Sequence, residues 1–215
     1  MIESPFRRAA GLAVLALLLL GCGSDGGSGS TKNAPLYEFN AFENGGRTIR
    51  WPNLPVRVFL GNGVARADEV NVWTGATGGA VTFTFVGSVS NADVRFGFID
   101  DTSICGRTFL ELPDDGRLRP VVDVDVSRTI YRGPQCVRTV THETAHAIGF
   151  LNHTDDGGLM DPDGGNGDIT PLVAQTLRDL YSFPPNTSVS AQTKRFGLER
   201  PGGRRTVTFV YRPRR

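Results

Sequence analysis

The stretch from His142 to His153 constrains the chain most, because it holds all three histidines of the protein in one short run, H-E-T-A-H-A-I-G-F-L-N-H. Residues four apart share one face of a helix, so His142 and His146 can direct their ring nitrogens toward one point. Glycine takes a left-handed backbone conformation without steric cost, so Gly149 can end the helix and turn the chain back. The turn would bring His153 to the same point from a third direction.

Three imidazoles with an open fourth position suit a catalytic zinc ion, which needs a place for water. A structural zinc ion would need four closed ligands, and no cysteine lies nearby in the sequence to supply the fourth. Glu143 lies beside the first histidine and can hold a water at the edge of the site. An ordinary amphipathic helix is the alternative, but three neutral histidines in an otherwise apolar stretch need polar partners if they are buried. We therefore predict that His142, His146 and His153 bind zinc and that Glu143 is catalytic.

The pattern H-E-x-x-H-x-x-G-x-x-H resembles the zinc-binding consensus of the metzincin metalloproteases. That family also has a methionine-containing turn beneath the metal, and Gly158-Leu159-Met160-Asp161-Pro162 is similar to that turn. Its Leu-Met-x-Pro form and the short gap after His153 resemble the matrixin branch. An ordinary core methionine is the alternative for Met160. The resemblance implies that Gly149, Met160 and Pro162 shape the site without doing chemistry.

The resemblance implies a fold and an activity. The fold would be α+β, with a twisted, mostly parallel five-stranded sheet, an antiparallel edge strand, three main helices and an active-site cleft under the edge strand. The activity would be that of a zinc-dependent endopeptidase, in which the metal polarises the scissile carbonyl and activates water. Glu143 would take the proton from that water and deliver it to the leaving amine.

The chain before the motif alternates apolar and polar residues in several short runs, as half-buried strands do. Thr48–Trp51 is predicted as an edge or lead-in strand, because Pro52 and Pro55 interrupt the chain directly after it. A first helix is predicted over Val64–Thr74, with Trp73 turned to the core. This order resembles the upper subdomain of metzincins. The other predicted elements are strands over Val56–Leu60, Val81–Val86, Val94–Ile99, Ile104–Leu112 and Val121–Val126, a helix over Val137–Gly149, and a last helix capped by Thr170-Pro171.

A strand at the edge of a sheet can pair with an extended peptide by main-chain hydrogen bonds. In metzincins the strand that Ile104–Leu112 resembles forms the lower edge of the sheet above the cleft. The resemblance therefore implies that substrate lies along Gly106, Arg107, Thr108 and Phe109. A covered edge without a ligand is the alternative. Matrixins also wall their main specificity pocket with a tyrosine where this chain has Gly164, so no side-chain preference is predicted.

The first residues have the pattern of an export signal. A short positive region precedes the apolar run Ala9–Leu20, which is too short for a comfortable transmembrane helix. The ending Leu19-Leu20-Gly21-Cys22 resembles a bacterial lipoprotein signal, in which the cysteine becomes the lipidated first residue. An ordinary secretory signal with an incidental cysteine is the alternative. In either case the protein is exported, and Gly23 after the cysteine favours delivery to the outer membrane or cell surface.

With Cys22 assigned to the lipid, two of the three cysteines remain. Since the chain is expected in an oxidising compartment, Cys105 and Cys136 are predicted to form a disulfide. A thiolate ligand is the alternative, but three histidines already suit the metal.

Four segments are predicted along the chain: a signal peptide over 1–21, a flexible Gly/Ser tether over 22–34, a catalytic domain over 35–185 and a basic extension over 186–215. Within the extension, Thr206–Tyr211 is predicted to form a strand. The extension could pack on the domain, contact an anionic surface or be loose. The acidic, glycine-rich loop Asp163–Asp168 could bind calcium through its carboxylates or be solvated.

Net charge and composition limit the classes of partner that the chain can be expected to bind. The formal net charge is +1, so there is no bulk electrostatic case for nucleic acid. The expected partners are a peptide or protein substrate and a membrane reached through the lipid at Cys22, and the chain is expected to be a monomer. Two other functions stay open: a non-catalytic envelope protein that retains a zinc site, and a surface adhesin or assembly factor.

Overall fold

The computed structural model describes residues 34–189 and 205–214, which form a mixed α+β fold. The helices are α1 (Ala34–Phe39), α2 (Ala67–Ala76), α3 (Thr139–Ala147) and α4 (Pro171–Ser182), with short 3-10 turns at Ala41–Asn44 and Val89–Asn91. The strands are β1 (Val56–Phe59), β2 (Phe83–Phe85), β3 (Val94–Ile99), β4 (Gly106–Leu112), β5 (Val122–Ser127) and β6 (Arg205–Tyr211).

The strands form one six-stranded, mostly parallel sheet in the order β2-β1-β3-β5-β4-β6. Strands β2, β1, β3 and β5 are parallel to one another, whereas β4 is antiparallel to β5 and β6 is antiparallel to β4. Apolar residues alternate along the strands, so that one face of the sheet packs on helix α3; in β5 the buried residues are Val122, Val124 and Val126.

Helix α3 lies at the centre of the molecule, and every one of its residues is buried. Both tryptophans of the chain hold it through their indole N–H groups. Trp51 Nε1 donates to the carbonyl of Ala147 over 2.9 Å, and Trp73 Nε1 donates to the carbonyl of Thr141 over 2.9 Å. Because a buried indole N–H needs an acceptor, these bonds join the helix to two separate parts of the chain and fix its position.

Helix α4 begins as its sequence predicts. The Thr170 hydroxyl accepts a hydrogen bond from the backbone N–H of Val173, and Pro171 occupies the first turn. Its apolar face is buried, including Leu177 and Leu180. Near its end, the hydroxyl of Tyr181 donates to the carbonyl of Ile148 over 3.0 Å, which ties α4 to the turn that follows α3.

The sulfur atoms of Cys105 and Cys136 lie 2.09 Å apart, at the distance of a disulfide bond. The bridge joins the residue before β4 to the segment that leads into α3. The two cysteines are 31 residues apart in the chain, and in the chain-entropy model a loop of that length contributes about 3 to 4 kcal/mol to stability.

The sheet differs from the expectation of five strands, because the C-terminal segment joins it as a sixth. Strand β6 pairs with the whole of β4, from Gly106 opposite Tyr211 to Leu112 opposite Arg205. The prediction that β4 is the exposed edge is therefore wrong, and a strand of the chain itself covers Gly106, Arg107, Thr108 and Phe109. The prediction of a strand at Thr206–Tyr211 is confirmed. Residues 205–214 pack on the domain.

Two further predictions need correction. Thr48–Trp51 is not a strand, because its backbone N–H groups bond to scattered partners: Thr48 to the carbonyl of Thr187, Ile49 to the Asn40 side chain, and Arg50 to the carbonyl of Gly116. The first long helix begins at Ala67 instead of Val64. Its N-terminus is closed by the Glu69 carboxylate, which accepts the backbone N–H of Arg66 over 2.8 Å.

The predicted signal peptide, the predicted lipidation site Cys22 and the predicted Gly/Ser tether lie outside the described residues, except for Ala34 at the end of the tether. Residues 190–204 and residue 215 of the extension also lie outside them. Within residues 34–189 and 205–214, no helix has both the length and the apolar character needed to cross a bilayer.

Candidate metal centre

Helix α3 and the turn after it bring the three histidines together. The Nε2 atom of His142 lies 3.2 Å from that of His153 and 3.3 Å from that of His146. The Nε2 atoms of His146 and His153 are also 3.3 Å apart. Three nitrogen ligands at the usual zinc distance of about 2.0 to 2.1 Å, arranged tetrahedrally, lie about 3.3 Å from one another. The triangle of nitrogen atoms therefore has the size that one such ion requires.

The turn is built on Gly149, whose φ of 105° lies in the left-handed region. A Cβ at this position would lie 2.8 Å from the carbonyl oxygen of Ile49, so space also selects glycine. The side chain of Asn40 donates to the carbonyls of both Ile49 and Gly149 over 2.7 Å. The N–H of Leu151 donates to the carbonyl of Phe39 over 2.6 Å. The chain before the sheet thus holds the turn that brings His153 to the other two histidines.

Two backbone carbonyls fix the ring orientation of the helical histidines. His142 Nδ1 lies 2.6 Å from the carbonyl oxygen of Leu159, and His146 Nδ1 lies 2.6 Å from that of Phe150. A carbonyl oxygen can only accept, so each Nδ1 carries the hydrogen and each Nε2 presents a lone pair. Two lone pairs facing each other at 3.3 Å repel unless an electropositive group lies between them. The donor set therefore fits a metal cation.

Burial keeps all three imidazoles neutral near pH 7, which is the form that binds a metal. Desolvation, with a smaller contribution from His153, lowers the pKa of His142 to about 3. Desolvation lowers the pKa of His153 to about 4 and brings the pKa of His146 well below its usual value. Within the described part of the chain, these histidines are the one group of three or more acidic, thiol or imidazole side chains that could hold a metal ion.

The methionine turn supports the site through its backbone. Met160 is fully buried in the main hydrophobic core, and its carbonyl accepts the N–H of Thr154 over 2.9 Å. The preceding carbonyl, that of Leu159, is the one that orients His142. The segment from 159 to 160 therefore positions the His142 ring and closes the loop after His153, while the carbonyl of Pro162 accepts the N–H of Arg212 over 3.2 Å.

Glu143 is fully buried beside the histidines. Its Oε2 accepts a hydrogen bond of 2.5 Å from the Thr108 hydroxyl, whereas its Oε1 has no hydrogen-bond partner among the described residues. Burial is the main reason that the pKa of Glu143 rises to about 8; the Thr108 hydrogen bond opposes the rise, and the charge of Asp125 adds to it. A buried carboxyl oxygen that lacks a partner is costly, and such atoms are typical of functional sites.

The four β4 residues that were predicted to bind substrate lie on two different faces of the strand. Gly106 and Thr108 face α3: a Cβ at Gly106 would lie 3.0 Å from Glu143 Oε1. Arg107 and Phe109 face away, where the Arg107 guanidinium lies 4.6 Å from the centre of the Phe109 ring and forms an ion pair of 3.0 Å with Asp125. The structure brings the first pair to the site and leaves the second pair outside it.

Two aromatic residues at the site were not predicted from the sequence. The Tyr211 ring stacks on that of His142 with centroids 4.3 Å apart, and the Phe209 ring stacks on that of His146 with centroids 4.5 Å apart. Both belong to β6, in which Val207, Phe209 and Tyr211 share one face because side chains alternate along a strand. That alternation was visible in the sequence, but nothing in it indicated which surface the strand would cover.

The loop at Asp163–Asp168 uses polar side chains within its own turns. The Asp163 carboxylate accepts the N–H of Gly165 over 3.1 Å, and the Asn166 side chain accepts the N–H of Asp168 over 2.8 Å. No cluster of three carboxylates converges there among the described residues, and calcium binding stays a prediction.

Comparison of the sequence with protein-family models and with curated proteins finds no match.

Proposed function

We propose that this protein is a zinc-dependent endopeptidase of metzincin type, similar to the matrixins. The observation that carries this proposal is the triangle of Nε2 atoms, with sides of 3.2 to 3.3 Å, formed by His142, His146 and His153. Zinc is favoured over other divalent ions because imidazole is a preferred zinc ligand and a site of three histidines leaves a fourth position open, as catalytic zinc sites do.

The fold around the triangle supports the same proposal. The resemblance implies parallel strands, an antiparallel strand above the motif helix and a methionine turn below it. Strands β1, β2, β3 and β5 are parallel, β4 is antiparallel, and α3 carries His142 and His146 under β4 and β5. The turn at Met160 lies directly behind His142. The order of these features along the chain and their positions in space support the proposal.

Each residue of the site has a defined part in the proposed reaction. When bound, zinc would act as a Lewis acid on the scissile carbonyl and would lower the pKa of water. The histidines would hold the ion, and the carbonyls of Leu159 and Phe150 fix two of their rings. Thr108 holds Glu143 Oε2, which leaves Oε1 to take a proton from the attacking water and return it to the leaving amine.

The test is cleavage of a peptide library by the zinc-loaded protein, read by mass spectrometry, with and without a chelator. We expect cleavage products that disappear with chelator and return when zinc is restored. Glu143→Gln should retain zinc and lose cleavage, since the amide cannot accept the proton. Full cleavage by Glu143→Gln would overturn the assigned base, and chelator-resistant cleavage would overturn the metal mechanism.

A second candidate function is a zinc-binding protein without catalysis, and one observation favours it. Strand β6 covers the edge at which a peptide would pair, and Tyr211 is fully buried against the site. If β6 never detaches from β4, a bound zinc ion would only stabilise the fold. One zinc ion per chain, with no cleavage of any peptide by the wild type or by variants that weaken β6, would support this candidate.

The proposed location rests on the sequence alone. We propose that the chain is exported and anchored in the bacterial envelope by a lipid at Cys22, because residues 19–22 resemble a lipoprotein signal. Labelling with a radioactive fatty acid tests this point. The wild type should take up label and Cys22→Ser should not; equal labelling would contradict lipidation at this residue.

A further inference from the structure

We propose that strand β6 occupies the path of the substrate and acts as a competitor built into the chain, so that a peptide reaches the metal site only after β6 has left β4. This inference rests on the proposed peptidase function and concerns the regulation of that same site. It is carried by the contacts that residues 205–214, called the tail below, make with three sides of the site.

The first side is the strand above the site. Strand β6 pairs with β4 in antiparallel register over all seven residues of each strand. An extended peptide that pairs with a sheet edge uses the same main-chain groups. Substrate and β6 therefore cannot occupy this edge of β4 together.

The second side is the wall formed by the segments that flank the histidine motif. The N–H of Arg212 donates to the carbonyl of Pro162 over 3.2 Å, and the N–H of Arg214 donates to that of Gln135 over 3.0 Å. The Tyr211 hydroxyl donates to the carbonyl of Val137 over 2.9 Å. The tail thus has main-chain bonds both to β4 and to the segments that flank the histidine motif, as a peptide bound along the site would.

The third side is the metal-binding residues themselves. The Tyr211 and Phe209 rings lie nearly parallel to the imidazoles of His142 and His146, at interplanar angles of 12° and 13°. A Cβ at Gly164 would overlap the Tyr211 hydroxyl. Glycine at this position, where matrixins have a pocket-wall tyrosine, leaves the space that the tail's own tyrosine fills.

The position of β6 at the edge of the sheet allows it to detach from β4. It is the last strand of the sheet and has one strand neighbour within the described part of the chain. Its outer residues, Thr206 and Thr208, are exposed. Its first residue, Arg205, is held by an ion pair of 2.6 Å with Glu43. Terminal strands open locally at lower free energy than central strands do, so β6 can leave while β3 and β5 stay paired.

The first experiment compares cleavage of an extended peptide by zinc-loaded wild type, Phe209→Ala and the matched control Thr208→Ala. Phe209 stacks on His146, whereas the adjacent Thr208 points outward on the same strand. We expect Phe209→Ala to raise kcat/KM roughly tenfold or more, because a weaker β6 competes less well, and Thr208→Ala to match the wild type. Equal rates for wild type and Phe209→Ala would contradict the inference and leave the peptidase function standing.

A peptide in trans provides a second readout, because it supplies the competing strand as a separate molecule. A synthetic peptide with the sequence of residues 205–214 should inhibit Phe209→Ala competitively with substrate. The same peptide with alanine in place of both aromatic residues should inhibit at least roughly tenfold more weakly. Failure of the first peptide to inhibit would contradict the role of β6 as a competitor for the site.

Hydrogen–deuterium exchange of the unmodified zinc-loaded protein separates the two proposals, because it needs no turnover. We expect the amides of β6 to exchange through a local opening, faster than those of β5. Exchange of β6 only through global unfolding would show a permanent strand and overturn the inference. Zinc-loaded protein that cleaves no peptide, Phe209→Ala included, would overturn the proposed function and the inference with it.

Discussion

Tyr211 and His142 lie 69 residues apart in the chain, yet their rings stack with centroids 4.3 Å apart and planes 12° from parallel. The C-terminal strand and the first histidine of the triad therefore share one contact surface. The Tyr211 ring is fully buried in that position, and burial raises the pKa of its hydroxyl to about 12, so the hydroxyl donates to Val137 as a neutral group. A change in the position of the His142 ring should therefore alter the packing of the C-terminal strand.

Metal removal should destabilise the folded protein. Under the proposed function, zinc would bind the folded triad and would have no preformed site in the unfolded chain, so free zinc at about 1,000 times its dissociation constant would add about 4 kcal/mol to the free energy of unfolding. For a chain of this size, the loss corresponds to a melting temperature lower by roughly 10 °C. Differential scanning fluorimetry with and without chelator measures it. An unchanged melting temperature would mean that the triad holds no zinc in solution.

His153→Ala should weaken zinc binding by more than roughly 100-fold, because even the loss of a group that only orients a ligand costs 10- to 100-fold. The matched control is Asp155→Ala, an exposed residue two positions on, which should retain one zinc ion per chain. Competition with a chromogenic chelator gives both affinities. Equal zinc affinity in His153→Ala and the control would remove His153 from the ligand set.

Thr108→Val should lower kcat with little change in KM. The hydroxyl of Thr108 holds Glu143 Oε2 over 2.5 Å, and valine has nearly the same shape without the donor. Removal of one such hydrogen bond to a charged group costs about 1.5 to 3 kcal/mol, which is a rate loss of roughly 10- to 100-fold. Thr108→Ser should restore most of the rate. A loss that appears in KM alone would point to a role in peptide binding and not in holding Glu143.

Glu143 should make the stability of the metal-free protein fall as pH rises. Its pKa is about 8 in the folded state and about 4.5 when unfolded, so the folded state binds the proton more tightly. The stabilisation is complete below pH 4.5 and is lost as pH rises through 8. Since one pKa unit is worth about 1.4 kcal/mol, the loss is of the order of a few kcal/mol.

The control for this pH effect is Glu143→Gln, which carries no titrating proton at this position. Chemical unfolding of both proteins in chelator, from acidic to mildly alkaline pH, isolates the effect, because the histidines contribute equally to both. The stability of Glu143→Gln relative to wild type should increase across this range. A constant difference would show that the Glu143 carboxyl titrates normally in the fold.

Much of the site could be predicted from the sequence because its geometry is local. His142 and His146 are one helical turn apart, and Gly149 forces the turn that positions His153, so spacing alone predicts convergence. The same holds for α4, whose start at Thr170-Pro171 depends on a cap and a proline that act within one turn.

The covered edge of β4 could not be predicted in this way. The alternation of Val207, Phe209 and Tyr211 predicts a strand, but the choice of partner depends on surfaces that are complementary only after the domain has folded. The same limit applies to Asn40, whose side chain bonds both Ile49 and Gly149. Contacts between residues far apart in sequence leave no periodic signal near either residue.

X-ray absorption at the zinc edge of the zinc-loaded protein tests the central claim most directly. We predict one ion per chain with three imidazole nitrogen atoms at about 2.0 to 2.1 Å and one further oxygen ligand. A sulfur ligand at about 2.3 Å, fewer than three imidazoles, or a fourth imidazole supplied by a second chain would contradict the claim that His142, His146 and His153 hold a zinc ion with a position open for water.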